Sequence, residues 1–359
     1  MSLKFKENIT LAPLTTFNIG GLARYFVAVG NEAEVRKAVK FAHEKDIPIF
    51  VLAGGSNILV SDKGFPGLVI HNKISGFKIE RRGDKTVVRV GSGENWDETV
   101  RRVVEENLSG IECLSGIPGS VGAAPVQNIG AYGQSFSDVA VEVKAIDLKT
   151  GKLEIFDKAR SGLEYRKSIF NTTEAGRYFI TEVIMELIKG GAPLLNYHDL
   201  KDRFSGKNPS LKEVRQAVIE IRAKKGMVIL PGYECYKSVG SFFKNAIVEA
   251  PALEKILKLT QGRNWCKEPW FWKQADGKIK VSAACLIEQA GFQKGFCEGN
   301  IGISPKHTLA LINCGGATAR EMIQLAKKIQ DQIFEKFGIK IEAEAQLIGF
   351  RDNPLTPHL

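Results

Sequence analysis

An α+β fold spread over more than one domain is what this sequence predicts, and three stretches carry the prediction. Residues 25–53 read as strand, helix, strand. Residues 141–187 read as a hairpin followed by a long apolar strand. Residues 318–348 read as a capped amphipathic helix with a closing strand. At 359 residues the chain has room for about two to three domains.

Tyr25–Val29 is a short apolar strand. Ala33–Glu44 then sets Val35, Ala38, Val39 and Ala42 on one face, the spacing of a helix that buries one side. Pro48–Ala53 is a second apolar strand and ends in Gly54-Gly55-Ser56-Asn57. A Rossmann fingerprint places its glycines after the first strand, where they open the helix. Here they follow the second strand, and no GxGxxG occurs, so a dinucleotide site of another kind is expected. Strands follow at Gly67–His71, Phe77–Arg81 and Thr86–Val90, then a helix near Asn95–Glu106. Lys149-Thr150-Gly151 between Val141–Leu148 and Lys152–Phe156 is a hairpin signal, and Tyr178–Leu187 is a long apolar strand.

Leu211–Lys225 reads as a helix stopped by Gly226 at C′, with a domain boundary after it. Beyond it come helices near Pro251–Leu259 and Val281–Ala290 and a strand at Leu309–Asn313. Thr318-x-x-Glu321 is a capping box. It opens a helix that carries Met322, Leu325, Ala326, Ile329, Ile333 and Phe337 on one side and stops at Gly338. Ile339–Ile348 alternates apolar residues with Lys340, Glu342, Glu344 and Gln346, which predicts a strand with one buried face.

Composition narrows the function. Hydrophobic residues at 44% and charged residues at 25% suit a soluble globular protein, and no apolar run reaches the roughly 18 residues of a membrane helix. The first residues carry scattered charge and no apolar signal core, so a cytoplasmic protein is expected. Six cysteines, at 113, 235, 266, 285, 297 and 314, include no CxxC pair and no histidine at zinc spacing. They are expected as reduced thiols, with no metal. The net charge of +10 is diffuse, without a dense basic block or a basic–aromatic motif. It fits an enzyme that steers polyphosphate substrates better than a nucleic-acid binder.

The densest chemical signal is Ser115–Gly133, a charge-free run with glycines at 116, 119, 122, 130 and 133. Glycine lets backbone approach a ligand closely, and its N–H groups can hold a phosphate without a cation. The apolar filling of the run, Ile117, Val121, Ala123, Ala124 and Val126, predicts a buried dinucleotide-binding loop. Gly240-Ser241-Phe242-Phe243-Lys244-Asn245 sets a small hydroxyl between a glycine and two aromatics, with no hydrolase elbow around it. Arg166, in Tyr165–Phe170, can hold a carboxylate bidentately. Tyr197 and His198 follow Gly190-Gly191, in a loop able to act as a lid. By themselves these residues leave Ser241 equally an ordinary strand-edge serine and Arg166 a surface cation. They also do not separate Glu342 from Glu344.

Taken together, the motifs resemble the UDP-N-acetylenolpyruvoylglucosamine reductase family over nearly the whole chain. The pieces are Thr16–Gly21, Leu52–Asn57, Ile117–Gly119 through Gln127–Gly133, Tyr165–Phe170, Gly240–Asn245, and Glu342-Ala343-Glu344 leading to Ile348-Gly349. The resemblance implies an FAD-binding cradle of the vanillyl-alcohol-oxidase type plus a C-terminal α+β substrate domain. It implies divisions at 1–75 (completed by 345–359), 76–226 with a substrate loop near 190–205, and 227–344. FAD is expected non-covalently, since Ser115–Gly133 holds no histidine, although Cys113 is close by. Cofactor contacts are expected from Gly54, Gly55, Ser56, Asn57, Ser115, Ile117, Pro118, Gly119, Ser120, Gly122, Ala123, Gln127, Asn128, Gly130 and Tyr132.

The family implies reduction of the enolpyruvyl ether of UDP-N-acetylglucosamine to UDP-N-acetylmuramate, in peptidoglycan precursor synthesis. NADPH reduces FAD and leaves, and the substrate takes its place. The carry-over gives Arg166 and a protonated Glu344 to the charge that develops on the substrate carboxylate. Ser241 delivers the proton to the adjacent carbon. Tyr197, Lys225 and Asn245 match substrate-contacting positions, with Lys224 a rival for Lys225. A monomer is expected, with no nucleic-acid partner and no membrane insertion. Ala246, where proline is common after the Asn, and the stretch Trp265–Lys273 depart from the family pattern.

Overall fold

A computed structural model describes residues 3–82, 85–259, 266, 270–274 and 276–355. Contacts divide the chain into two compact units. One comprises residues 1–9, 22–55 and 65–235, and the other comprises 10–21, 56–64 and 236–359.

The first unit holds two sheets. In the first sheet the order is Lys6–Thr10, Leu22–Val29, Phe65–Asn72, Ile49–Leu52. Phe65–Asn72 runs parallel to both Leu22–Val29 and Ile49–Leu52. The strand–helix–strand run is therefore present, but a later strand is inserted between its two strands. The helix Glu32–Glu44 closes over this sheet with Val35, Ala38, Val39 and Ala42 buried, and the Asn31 side chain caps it by accepting from the Glu34 N–H. The second sheet runs Leu153–Asp157, Ala140–Asp147, Tyr178–Lys189, Lys85–Gly91, Phe77–Arg82, all antiparallel. Its core is Val88, Val90, Val143, Ala145, Val183 and Met185, packed against Trp96, Val100 and Val103 of the helix Trp96–Glu105. The segment between the strand Lys85–Gly91 and that helix holds the glycine-rich run: the Ser92 and Glu94 carbonyls accept from the Gly122 and Val121 N–H groups at 2.8 and 2.9 Å, and the Trp96 N–H donates to the Gly119 carbonyl at 3.0 Å.

In the second unit the helix Ala319–Phe337 lies at the centre of the apolar cluster, with the predicted stripe from Met322 to Phe337 buried. The Thr318–Glu321 capping box forms on both sides, and the Asp62 carboxylate also accepts from the N–H groups of Ala319 and Arg320, at 2.7 and 3.0 Å. Gly338 stops the helix at φ +69°, in the left-handed region where glycine costs least. Three departures from the sequence expectations occur here. Val281 closes the strand Ile279–Val281, and the helix is only Ala283–Gln289, because Ser282 caps it. The closing segment is not one strand. Only Gln346–Ile348 forms a ladder, parallel to Ile58–Val60, while Ala343 makes a single bridge to Phe243. Ile339, Ile341 and Ala345 are buried all the same, so the alternation marked burial rather than pairing. Finally, Cys266 and Cys285 are bonded to each other with Cα atoms 5.8 Å apart, against the expectation of six reduced thiols. The helix that begins at Ala283 brings the second cysteine back to the first, a long-range return that a separation of 19 residues does not signal. Of the departing stretch Trp265–Lys273, residues 265 and 267–269 lie outside the described residues. No described helix is long and apolar enough to cross a membrane.

His71, on the strand Phe65–Asn72, packs edge-on against Phe26. Burial, and then the charge of Lys73, hold its imidazole down at about 4. The folded protein therefore binds fewer protons than the unfolded chain between about pH 4 and 6.5, so stability rises with pH across that window. We expect unfolding free energy to fall from pH 7 to pH 4 on account of this group, by well under the ~3 kcal/mol of the full shift, because the imidazole is only partly buried and solvent screens it. Urea titrations at stepped pH measure it. A His71→Gln variant that keeps the full slope over this range disproves the assignment.

Candidate active site

Two glycine loops meet within the first unit. Gly54, after the strand Ile49–Leu52, lies against Gly119: a Cβ on Gly54 would come 2.6 Å from Gly119 Cα and 3.0 Å from its carbonyl carbon. Gly122 is equally confined, since a Cβ there would stand 2.7 Å from Ser92 Cβ. Only glycine permits this approach. Among the described residues the backbone N–H groups of Gly54, Gly55, Gly119 and Ser120 donate no hydrogen bond inside the fold. The Ser120 hydroxyl is buried without a partner. Gly55 and Ser120 are buried, Gly119 is half-buried and Gly54 is exposed, so the Gly55 and Ser120 N–H groups and the Ser120 hydroxyl are the donors that need an acceptor from outside the chain. Together they make a neutral nest that suits a pyrophosphate. On this observation the residues fit FAD.

The remainder of the run is held by polar anchors. Asp97 receives a paired hydrogen bond from Arg215, at 2.6 and 2.8 Å, and accepts from the Gly116 N–H at 2.5 Å. Burial pushes the Asp97 carboxyl up, but the hydrogen bonds from Arg215 and Gly116 outweigh it and leave the group below its usual value. Arg222 donates to the Gly116 and Met227 carbonyls at 3.1 and 2.9 Å. Ser115 is fully buried and donates to the Glu112 carbonyl at 2.6 Å. Ile117 packs on the apolar core of the unit, and Pro118 and Ala123 lie in the same loop. Asn128 bonds Ser137 and the Glu164 carbonyl, which ties the run to the segment carrying Arg166. Gln127 sits half-buried in the next turn.

Arg166 sits at φ +57° in a tight turn, and its guanidinium donates to the Gly130 carbonyl at 2.9 Å. Tyr132, two residues further on, also has positive φ, +49°. Non-glycine residues in this region are strained, and such strain concentrates at functional sites. Tyr132 meets Tyr197 edge-on with ring centroids 5.2 Å apart. The Lys225 ammonium lies 5.6 Å over the Tyr132 ring and 3.2 Å from Asp199. Lys224 is exposed, whereas Lys225 is the C-cap and turns toward Tyr132 and Asp199. Gly130, Tyr132, Arg166, Tyr197 and Lys225 are thus brought together in the first unit. Cys113, buried beneath them, has its thiol pushed far up by burial and then by Glu112, and a thiol kept protonated is a poor nucleophile.

Ser56, Asn57, Ser241, Asn245 and Glu344 belong to the second unit. The Phe242 carbonyl accepts from the Glu344 N–H at 2.7 Å, and Asn57 donates its amide to the Glu344 carbonyl at 3.1 Å. Phe242 and Phe243 are fully buried and anchor the segment, while Ser241 beside them is half-buried. Ser241 lies in irregular backbone rather than on a strand edge. The structure separates the two glutamates: Glu342 is exposed and paired with Lys244 at 3.2 Å, whereas Glu344 is half-buried. Asn245 spends its carbonyl oxygen on the Ala283 N–H, at 3.0 Å. The motif Thr16–Gly21 proves to be packing: Phe17 is fully buried against Phe242, and Asn313 donates to its carbonyl at 2.9 Å. Asp97, Glu112, Arg215 and Arg222 were not singled out from the sequence, where nothing in their spacing marks them.

Comparison with known proteins agrees with this geometry. The family model described as "FAD binding domain" matches residues 23–157. The model described as "UDP-N-acetylenolpyruvoylglucosamine reductase, C-terminal domain" matches residues 232–348. The UDP-N-acetylenolpyruvoylglucosamine reductase of Thermobifida fusca is 39% identical over 355 residues, covering 97% of this chain and 99% of the relative. That of Streptomyces coelicolor is 38% identical, covering 94% and 89%, and that of Pseudomonas aeruginosa is 35% identical, covering 97% and 100%. The crystal structure of the reductase from Thermus caldophilus has a TM-score of 0.65 at 24% identity, over 97% of this chain and all of that one, and shows the same fold. With a flavin cradle built from neutral backbone and relatives aligned nearly end to end, the chain belongs to the UDP-N-acetylenolpyruvoylglucosamine reductase family of FAD-dependent oxidoreductases.

Proposed function

We infer that the protein reduces UDP-N-acetylglucosamine-enolpyruvate to UDP-N-acetylmuramate at the expense of NADPH, a step of peptidoglycan precursor synthesis. Relatives at 35–39% identity over 94–97% of the chain carry this reading, supported by the unpartnered donors of the Gly54 and Gly119 loops. Bound FAD supplies the hydride chemistry between NADPH and the enolpyruvyl group. Gly54, Gly55, Gly119 and Ser120 would hold its pyrophosphate.

The chain's own residues do the rest. Arg166, held in a strained turn by Gly130, stabilises the negative charge that develops on the enolpyruvyl carboxylate. Glu344, carrying a proton, donates to the same group. Ser241, placed by two buried phenylalanines, gives its proton to the carbon beside that carboxylate. Lys225 and Tyr197 bind the uridine diphosphate. Asn245 contributes to the substrate site through the amide that Ala283 leaves open. We propose a monomer working in the cytoplasm.

The decisive test is anaerobic. Enzyme reduced with NADPH and then mixed with UDP-N-acetylglucosamine-enolpyruvate regains the oxidised flavin spectrum. A spectrum that stays reduced defeats the proposed reaction. A gel-filtration mass above that of one chain, 39.5 kDa, defeats the monomer.

A further inference from the structure

Glu112 is a carboxylate with no solvent exposure, placed in the short turn Glu112–Leu114 just before the glycine-rich run. Burying a charge is costly unless its oxygens are well satisfied. Here three neutral donors satisfy them. The Gly110 N–H donates to Oε2 at 2.8 Å, the Gln134 side-chain amide to Oε1 at 2.8 Å, and the Leu194 N–H to Oε1 at 2.9 Å. Gln134 and Leu194 stand 22 and 82 residues away in sequence. Each is held a second time by the neighbouring residue. The Cys113 N–H donates to the Gln134 side-chain Oε1 at 2.7 Å, and the Cys113 thiol donates to the Leu194 backbone carbonyl at 3.2 Å.

The location gives the cluster its meaning. Gln134 follows the end of the glycine-rich run, and Leu194 is three residues before Tyr197. Glu112 therefore fastens the base of the Tyr197 loop to the loop that ends at Tyr132 and Gly133. The contacts made further along, Tyr197 edge-on to Tyr132 and Lys225 bonded to Asp199, depend on where that base sits. A buried acceptor whose donors come from three segments has few alternative arrangements, because each lost partner leaves an unpaired polar group.

We propose that Glu112 is a positioning residue for substrate binding: it pins the base of the Tyr197 loop to the glycine-rich loop and so sets the affinity for the UDP-sugar. The proposal rests on the reading of Tyr197 and Lys225 as substrate contacts. Glu112 does not touch substrate.

The test uses the FAD-loaded, full-length protein and three variants. Glu112→Gln keeps the shape but turns one acceptor into a donor that faces other donors. Gln134→Met removes one partner and leaves Glu112 in place. Tyr197→Ala tests the loop reading itself. Two quantities are measured: the Kd for UDP-N-acetylmuramate by calorimetry, and amide hydrogen exchange over residues 192–199 and 140–147. For Glu112→Gln we expect the Kd to weaken about tenfold, the loss for one buried group left unpaired. Exchange in 192–199 should rise by about the same factor, with 140–147 unchanged. Gln134→Met should move both in the same direction, and it decides the question if Glu112→Gln does not fold. An exchange increase shared equally by 140–147 assigns Glu112 to general stability and overturns the proposal. So does a wild-type Kd in Glu112→Gln while Tyr197→Ala binds weakly. A wild-type Kd in Tyr197→Ala instead overturns the loop reading on which the proposal stands.

Discussion

A Ser241→Ala enzyme is expected to be reduced by NADPH as fast as the wild type, and to be reoxidised by the enolpyruvyl substrate about 10²–10⁴ times more slowly. The asymmetry follows from the role given to the hydroxyl. It is needed only when a carbon must be protonated, and flavin reduction protonates no carbon of the substrate. Truncation should not disturb the scaffold, because the anchors of the segment are the buried rings of Phe242 and Phe243 on its C-terminal side. Anaerobic stopped-flow at the flavin absorbance band separates the two half-reactions. Equal losses in both, or no loss in the second, remove Ser241 from the acid role. Ser241→Cys offers a further check, since a side chain with an exchangeable proton in nearly the same place should recover part of the second half-reaction.

The second large effect is on cofactor retention. Gly54→Ala puts a methyl 2.6 Å from Gly119 Cα and 3.2 Å from the Ser120 N–H nitrogen. These neighbours are backbone, so no side chain can swing aside. Forcing a methyl into packed surroundings costs about 1–3 kcal/mol or more. Each 1.4 kcal/mol is about tenfold in affinity. If the loops separate to admit the methyl, the four unpartnered amides no longer converge. We expect Gly54→Ala to purify largely without flavin and to bind added FAD about tenfold to hundredfold more weakly, with an unchanged far-ultraviolet spectrum. Gly30→Ala is the control: its nearest neighbour would be the Glu34 carboxylate at 3.8 Å, an ordinary contact. A Gly54→Ala protein with normal flavin content and affinity shows that the cradle lies elsewhere.

These two predictions draw on different kinds of knowledge. The helix Ala319–Phe337 was readable from the sequence at both ends and along its face, because capping, periodicity and a terminal glycine are local properties. The hairpin Ala140–Asp147 with Leu153–Asp157 was readable for the same reason. The glycine-rich run was conspicuous because backbone approach to a ligand excludes side chains, and that leaves a compositional mark. The strand between Ile339 and Ile348 was misjudged: alternation records which residues are buried, and burial in a core does not require a partner strand. The insertion of Phe65–Asn72 between two earlier strands, and the bond between Cys266 and Cys285, are long-range choices with no local trace.

The catalytic assignments divide in the same way. Composition and spacing left Glu342 and Glu344 equivalent and gave Lys224 and Lys225 in one register. Packing separated each pair, turning Glu342 to Lys244 and Lys225 to Asp199 and Tyr132. Glu112 and Asp97 were invisible for a further reason. Their function is to accept hydrogen bonds from segments that are distant in sequence, and a carboxylate in such a place looks like any surface acid until the chain has folded around it.

By itself, then, the sequence determined the local elements, the glycine loops and, through ordered motifs, the family. Those depend on backbone freedom, periodicity and capping, which act over a few residues. Only the tertiary structure decided which donors in the loops stay unpartnered, which of two acids is exposed and which half-buried, which of two lysines pairs with Asp199, and which buried carboxylate pins the Tyr197 loop. Such choices depend on desolvation, and water is excluded only once distant segments close on one another.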